Sequence, residues 1–457
     1  MVNRMGDLRA LFSGVRGRLL CLGSEERDFA VFLVYMVAVS AFLFVIVKIF
    51  GVWVQKGMVY AYPMRPEAFD FSAYWDGFKS LSSSANPYNS ISMLVTPPPS
   101  LYVIGGIFSW ATYEHARDMV FVSYIILTIL SGYWVARSSF DRSFSFLVSV
   151  LIFWFVVEGQ PFYMLLDRLN AEWLIFPLCA CGFCIVFKDG ESSGKDRFEM
   201  VLGGTLLGLA ASIKMYPFLL VLPLAISKKG KAALAMVGTV VVLFFLTNGS
   251  DMWMHFFDKL KWRGSMLDYK TSQSVFCLFY YLFKGFPWLG NYENLELIKC
   301  YGMAMFLIFL VLNSALDLIN AHNAKVESVS FYKMDCFVSY IPLMIWVPVT
   351  AFFYELVFLV LLFPVVSRGL RRESRIQVLS YVYIAFGILM TQFQSTSMDL
   401  FLQEIIPKWQ NLPYVLQILG VLVINISFLV LKFDILFLSI RRRQKSRVAL
   451  LEESNPV

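Results

Sequence analysis

Asp70 stands in the run Pro66-Glu67-Ala68-Phe69-Asp70-Phe71-Ser72-Ala73-Tyr74-Trp75-Asp76, where an otherwise apolar chain turns polar and aromatic. A carboxylate of ordinary pKa, about 4, is ionised at neutral pH and can take a proton from a hydroxyl. The same residue would equally cap a helix over Phe71–Lys79. Asp76 lies six residues on, faces another direction on such a helix, and reads as a solvated charge. Further polar groups interrupt apolar sequence at Asp167-Arg168-Leu169-Asn170-Ala171-Glu172, Lys214-Met215-Tyr216 and Tyr354-Glu355. Lys214 is an ionisable residue inside an apolar stretch, which points to a functional cation or to a side chain snorkelling to the interface. Arg168 beside Asn170 and Glu172 suits either an anion or a carboxylate partner. Arg263 and Lys270 lie in a segment with Trp253, Phe256, Phe257 and Trp262 that reads as interfacial, so lipid headgroups compete for them with any other anion.

The elements that position these groups are membrane helices. The 457 residues are 58% hydrophobic and 16% charged, with mean hydropathy +0.65, against about 45–50% and about 25% for soluble domains. Apolar stretches of spanning length recur, and their continuity argues against alternating strands. The net charge of +7 gathers at segment ends, a topology signal rather than a nucleic-acid surface. Cys179, Cys181 and Cys184 do not share a helix face, and the histidines (His115, His255, His322) are scattered, so packing is favoured over a metal site. The stretch 29–50 is too long for a cleaved signal core and lacks a small-residue cleavage site.

Basic residues set the orientation. Arg4, Arg9, Arg16, Arg18 and Arg27 precede the first span, and Arg441, Arg442, Arg443, Lys445 and Arg447 follow the last, which predicts both termini in the cytoplasm. The basic loops Arg137–Arg142, Lys188–Arg197, Lys228–Lys231 and Arg368–Arg375 belong on the same side. This requires Leu101–Tyr113, which follows Pro97-Pro98-Pro99, to be an in-plane or half-buried outer helix. The spans then fall near 28–50, 119–136, 143–157, 171–187, 198–213, 216–227, 231–248, 301–320, 335–350, 352–366, 376–392 and 412–438, about twelve in all. The pair around Pro217 is short, as for a helix broken at proline. The expected organisation is a basic arm (1–27), one transmembrane domain (28–440) with outer loops 51–118 and 249–300, and a tail (441–457). The unusual acids, Lys214 and Arg168 gather at the outer face.

Several stretches resemble a known family. Asp70-Phe71-x-x-Tyr74, Ala85-Asn86-Pro87-Tyr88 and Pro97-Pro98-Pro99 look like the first outer loop of the GT-C superfamily, nearest to glycosyltransferase family 87, which includes polyprenol-phosphate-mannose-dependent mannosyltransferases. Ser212-Ile213-Lys214-Met215-Tyr216-Pro217 with Lys228-Lys229-Gly230-Lys231 is similar to the family's K-x-x-P helix and basic turn. Ser272-Gln273-Ser274 is similar to its N-Q-S segment, and Pro348-Val349-Thr350 through Tyr354-Glu355 to Pro364 to its late P-x-S … P span. Several members carry a histidine where this chain has Phe353, Tyr354 and Glu355.

The resemblance implies an all-α GT-C fold and an inverting transfer of one sugar, mannose or a pentose such as arabinofuranose, from a polyprenyl-phosphate donor. The acceptor would be a hydroxyl on a glycolipid, polysaccharide or secreted protein such as a pilin. The reaction would occur without metal or cofactor at the outer face of a bacterial inner membrane. Asp70 matches the catalytic aspartate. Lys214, Arg168, Arg263 and Lys270 would meet the donor phosphate. Tyr74, Asn86, Tyr88, Asn170, Glu172, Tyr216, Gln273, Tyr354 and Glu355 would line the substrate site. An isoprenoid groove over Phe276, Phe279, Tyr280, Tyr281 and Phe283 competes with ordinary packing. No phosphate-cradling glycine loop offers a nucleotide pocket. Gly203, Gly204 and Gly208 read as helix packing. A secondary transporter would show two similar halves, and a lipid-linked glycan ligase or polymerase a large late outer loop; neither is evident.

Overall fold

The computed structural model describes residues 69–83, 86–90, 97–138, 169–187, 195–247, 250–265, 275–323, 329–346, 353–362, 365–366, 369, 374–392 and 412–454. All regular elements among them are helical. The expected spans 28–50 and 143–157 lie outside the described residues.

Three short elements precede the first long helix: α1 (Phe69–Ser82), α2 (Pro87–Ser90) and α3 (Pro99–Gly105), the last running into a 3₁₀ turn over Gly106–Phe108. Pro98 and Pro99 start α3, where a missing N–H costs nothing. Helix α3 with its turn is far shorter than a bilayer crossing, and a break at 109–112 separates it from α4 (Tyr113–Ser138). By length, the helical part of Leu101–Tyr113 falls short of a bilayer crossing. Helix α1 packs on α3 through close approaches: a Cβ on Gly77 would meet the Tyr102 ring at 2.2 Å, and one on Gly105 would meet Phe78 at 2.0 Å.

The central group is α5 (Glu172–Val186), α6 (Lys195–Ile213), α7 (Val221–Ile226) and α8 (Gly230–Leu246). A 3₁₀ turn, Tyr216–Leu220, separates α6 from α7 and places Pro217 in its first turn, so the helix is broken where the proline predicts. Small residues bring these helices together. A Cβ on Gly204 would lie 2.2 Å from the Ala232 carbonyl of α8, one on Gly208 2.7 Å from that of Met236, and one on Gly182 2.9 Å from that of Gly203. This is the small-residue packing by which helices associate in lipid. The α7 end reverses through Lys228 at φ 58°, and the Lys229 amide bonds the Leu224 carbonyl, closing the helix end.

Helices α9 (Ser250–Ser265) and α10 (Val275–Gly285) follow, then α11 (Leu295–Asn323), α12 (Val329–Val338) and α13 (Ile341–Trp346). A 3₁₀ segment over Phe353–Leu362, α14 (Arg375–Gln392) and α15 (Leu412–Ser454) complete the described chain. Helix α14 lies on α15 where Gly387 faces the Gly420 carbonyl. On α10, Phe276, Tyr280 and Phe283 are buried, and Phe276 covers Gly302 of α11. These three rings are core packing, the alternative to an isoprenoid groove along that face.

By length and composition, two helices are long and apolar enough to cross a membrane, Leu295–Asn323 and Val415–Arg441, or three if the bent pair Gly230–Leu246 and Asp251–Lys259 is one span. The twelve-span count is not reproduced among the described residues, because the central helices are broken into shorter pieces. Large apolar side chains such as Leu234, Phe245, Val311 and Phe437 point outward from these helices, as on a lipid-facing surface.

Candidate active site

Helix α1 begins at Phe69, so Asp70 lies inside its first turn rather than capping a helix that starts at Phe71. A negative group in that position is favoured by the helix dipole. Asp70 and Tyr74, one turn apart, are both buried, at 3% and 2% exposure. Asp76 is exposed. The two acids therefore face different ways, as their spacing predicts.

The partner of Asp70 comes from 100 residues away. Asn170 Nδ2 donates to Asp70 Oδ2 at 2.6 Å, in a buried position. Asn170 sits in the turn that starts α5, and that turn is unusual. Leu169 adopts φ 48° although it is fully buried and not a glycine, a conformation that costs of order 1–3 kcal/mol and tends to persist at functional sites. The Trp173 amide bonds the Asn170 carbonyl at 3.0 Å, and those of Leu174 and Ile175 bond that of Ala171, starting the helix.

Two residues after Asn170, Glu172 occupies the first turn of α5 with no exposed surface. Its Oε1 accepts from Lys214 Nζ and, at 3.1 Å, from Tyr216 OH. Its Oε2 is buried and has no hydrogen-bond partner among the described residues. Lys214 and Tyr216 reach it because α6 ends at Ile213 and the proline-broken turn begins at Tyr216. The Lys214 ammonium also lies 5.8 Å from the Tyr216 ring, and its side chain keeps 20% exposure. The Tyr216 ring packs edge-on against Phe358, as does Phe176 of α5, both at 5.9 Å. The late 3₁₀ segment thus buttresses the site.

The sequence therefore places Asp70, Tyr74, Asn170, Glu172, Lys214 and Tyr216 on elements that meet, and five of the six are tied by hydrogen bonds along the Asn170–Glu172 turn. Two other expected substrate contacts make loop contacts. Asn86 Oδ1 accepts the Tyr88 amide at 3.0 Å, and Tyr88 OH donates to the Pro97 carbonyl at 2.8 Å. With Tyr88 buried against Tyr102 and Phe256, both residues clamp α2 to the start of α3. Burial raises the Tyr88 and Tyr102 phenols well above the ordinary range, so both stay protonated.

Arg263 lies on α9, and Tyr354 and Glu355 on the late 3₁₀ segment. Arg168, Lys270 and Gln273 lie outside the described residues. Sequence reasoning passed over Ser100 and Tyr102, whose hydroxyls are buried with no partner; the signal was polar residues directly after a triple proline. Among the described residues no three His, Cys, Asp or Glu gather as metal ligands. Cys179 and Cys184 are buried thiols.

The arrangement offers a held carboxylate on one side of a strained turn and a lysine–carboxylate pair on the other. That combination can accept a proton at one end and hold an anion at the other. The model of glycosyltransferase family 87 matches residues 96–331, just over half the chain. The protein belongs to glycosyltransferase family 87 and is a GT-C-like membrane glycosyltransferase. The matched span contains Asn170, Glu172, Lys214 and Tyr216, while Asp70 precedes it. No curated protein matches the chain.

Proposed function

We propose that the protein is an inverting glycosyltransferase that moves one sugar from a polyprenyl-phosphate donor to an acceptor hydroxyl. The observation that carries this reading is the Asn170–Glu172 turn, with Asp70 bonded at one end and Lys214 at the other. A direct displacement needs a base and a leaving-group cation on opposite sides of the reacting carbon, and Asp70 and Lys214 are bonded to the two ends of one short turn.

Asp70 accepts the proton as the acceptor oxygen bonds the anomeric carbon. The bond from that carbon to the phosphate oxygen breaks, and polyprenyl phosphate departs with the electron pair. Asn170 orients the base. Lys214 stabilises the departing phosphate, with Arg168, Arg263 and Lys270 as further candidate cations from the flanking segments. The donor's lipid is membrane-soluble, which suits a chain that lacks a nucleotide-cradling loop. No metal is required, since lysine and arginine supply the positive charge. The basic arm and tail support cytoplasmic termini and about twelve spans, and with them an outward-facing site in a bacterial inner membrane. Mannose or arabinofuranose is the expected sugar, and a glycolipid, polysaccharide or secreted protein such as a pilin the acceptor.

The test is a panel of polyprenyl-phosphate mannose, glucose and arabinofuranose offered to the purified protein, scored by release of polyprenyl phosphate. One donor should be consumed, and Asp70→Asn should lower its turnover about 10²- to 10⁴-fold with donor binding retained. Consumption of none of the panel overturns the donor reading. An Asp70→Asn protein with most of its activity overturns the base.

A further inference from the structure

The family and the proposed reaction leave the bare oxygen of Glu172 unexplained. The side chain has no exposed surface, Lys214 and Tyr216 both bond Oε1, and Oε2 has nothing. A buried carboxylate normally fills its acceptor sites, because each buried acceptor left without a donor forfeits the water it gave up. Nothing about the ion pair itself demands the vacancy, since Lys214 and Tyr216 reach a single oxygen.

An unfilled carboxylate oxygen wants a hydrogen-bond donor, and its charge repels phosphate. A hydroxyl fits and an anion does not. The position narrows the choice further. Oε2 is one carboxylate width from the oxygen that holds Lys214, so a hydroxyl resting on it lies immediately beside any phosphate resting on Lys214. In a glycosyl phosphate the hydroxyl nearest the phosphate is the one on C2, next to the anomeric carbon. Toward Asp70 the same turn continues through Ala171 to Asn170, which bonds the base, so the rest of the ring would face Asp70.

We propose that Glu172 is a specificity residue whose Oε2 accepts a hydrogen bond from the C2 hydroxyl of the donor sugar, while its Oε1 keeps Lys214 at the phosphate. The inference rests on the polyprenyl-phosphate reading above. Glu172 thus registers sugar and phosphate against each other: a donor that lacks the C2 hydroxyl leaves Oε2 bare in the complex, as it is in the free protein. The strain at Leu169 holds this registration, because relaxing that residue would rotate Asn170 and Glu172 away from their partners together.

The experiment compares the panel donor that the wild type consumes with its 2-deoxy counterpart, in wild type and in Glu172→Gln. Deoxy sugars react faster intrinsically, but that factor cancels when the two proteins' preferences are divided. Hydrogen bonds to a charged acceptor predict that the wild-type preference for the hydroxylated donor, as a ratio of kcat/KM, shrinks about 10- to 100-fold in the variant. An equal preference in both proteins overturns the Glu172 assignment while leaving the donor reading intact. Failure of the wild type to consume any panel donor overturns both. If Glu172→Gln does not yield a folded protein, wild-type affinity for single-deoxy donors decides. The 2-deoxy donor should bind at least about tenfold more weakly than donors lacking a more distant hydroxyl, and equal binding across the series overturns the proposal.

Discussion

Among the described residues two lysines pair with fully buried carboxylates, and the two pairs are built to opposite ends. Lys432 of α15 is 2% exposed and bonds Asp317 of α11 at 2.6 Å, Asn313 at 2.6 Å and Ser339 at 2.7 Å. All three ammonium hydrogens have an acceptor. Asn313 and Ser339 bond each other as well, Asn320 of α11 reaches the Lys432 carbonyl, and the Tyr340 ring lies 5.5 Å from the charge. Lys214, by contrast, keeps an exposed fraction of 20%, and its partner Glu172 keeps an oxygen without a bond. A closed network locks α11, α15 and the α12–α13 segment in register and has no room for a ligand. An open one retains polar capacity that only a ligand can use. Burial of a charge therefore does not mark function; incomplete satisfaction of a buried charge does.

Substitutions at the two lysines should separate these roles. Lys432→Met strands the Asp317 carboxylate in an apolar interior, which typically costs about 3–5 kcal/mol. Thermal unfolding in detergent should show a large loss, and Lys432→Met with Asp317→Leu should recover most of it by removing both charges. If the single variant is as stable as wild type, the network is not the lock described. Lys214→Met should act the other way. Loss of a cation from the leaving phosphate lowers kcat about 10²- to 10³-fold, with a smaller change in unfolding temperature than Lys432→Met. Unchanged kcat and donor KM would remove Lys214 from the phosphate.

The sequence made the open site legible and the closed one nearly invisible, for a physical reason. Asp70, Asn170, Glu172, Lys214 and Tyr216 stand where polarity interrupts short or broken apolar segments, so each is conspicuous locally. Pro217 announced the break that turns Lys214 and Tyr216 toward α5. Lys432 and Asp317 sit mid-helix in the two longest apolar helices, where overall hydropathy overwhelms a single charge. Their pairing spans 115 residues, beyond any local pattern. The rule that an ionisable residue inside a span signals a partner would have found both. The Tyr88 clamp was not foreseen because Asn86-Pro87-Tyr88 gives the same local signal for a loop staple as for a ligand contact. Leu169 gave no signal at all, since leucine has no local preference for a positive φ.

A gentler substitution on the open side sharpens the contrast further. Asn170→Ala removes one neutral donor from Asp70 without touching Lys214 or the acceptor's path. A hydrogen bond to a charged group contributes about 1.5–3 kcal/mol, which bounds the loss in kcat at about 10- to 100-fold, with donor KM unchanged because the phosphate contacts remain. An equal loss through KM would mean that Asn170 binds substrate rather than orients the base.

Ser339→Ala is the smallest of these perturbations. It deletes one of the three acceptors of Lys432 but leaves Asp317 and Asn313 in place. The ammonium retains its charge partner, so the loss should be that of one hydrogen bond, about 1 kcal/mol, seen in unfolding temperature alone. Turnover of the panel donor should not change, since Lys432 and its three acceptors lie on α11, α15 and the α12–α13 segment, none of which supplies a residue to the Asn170–Glu172 turn or the side chains bonded to it. A drop in kcat without a drop in stability would join the two lysine networks into one device and end the distinction between a lock and a site.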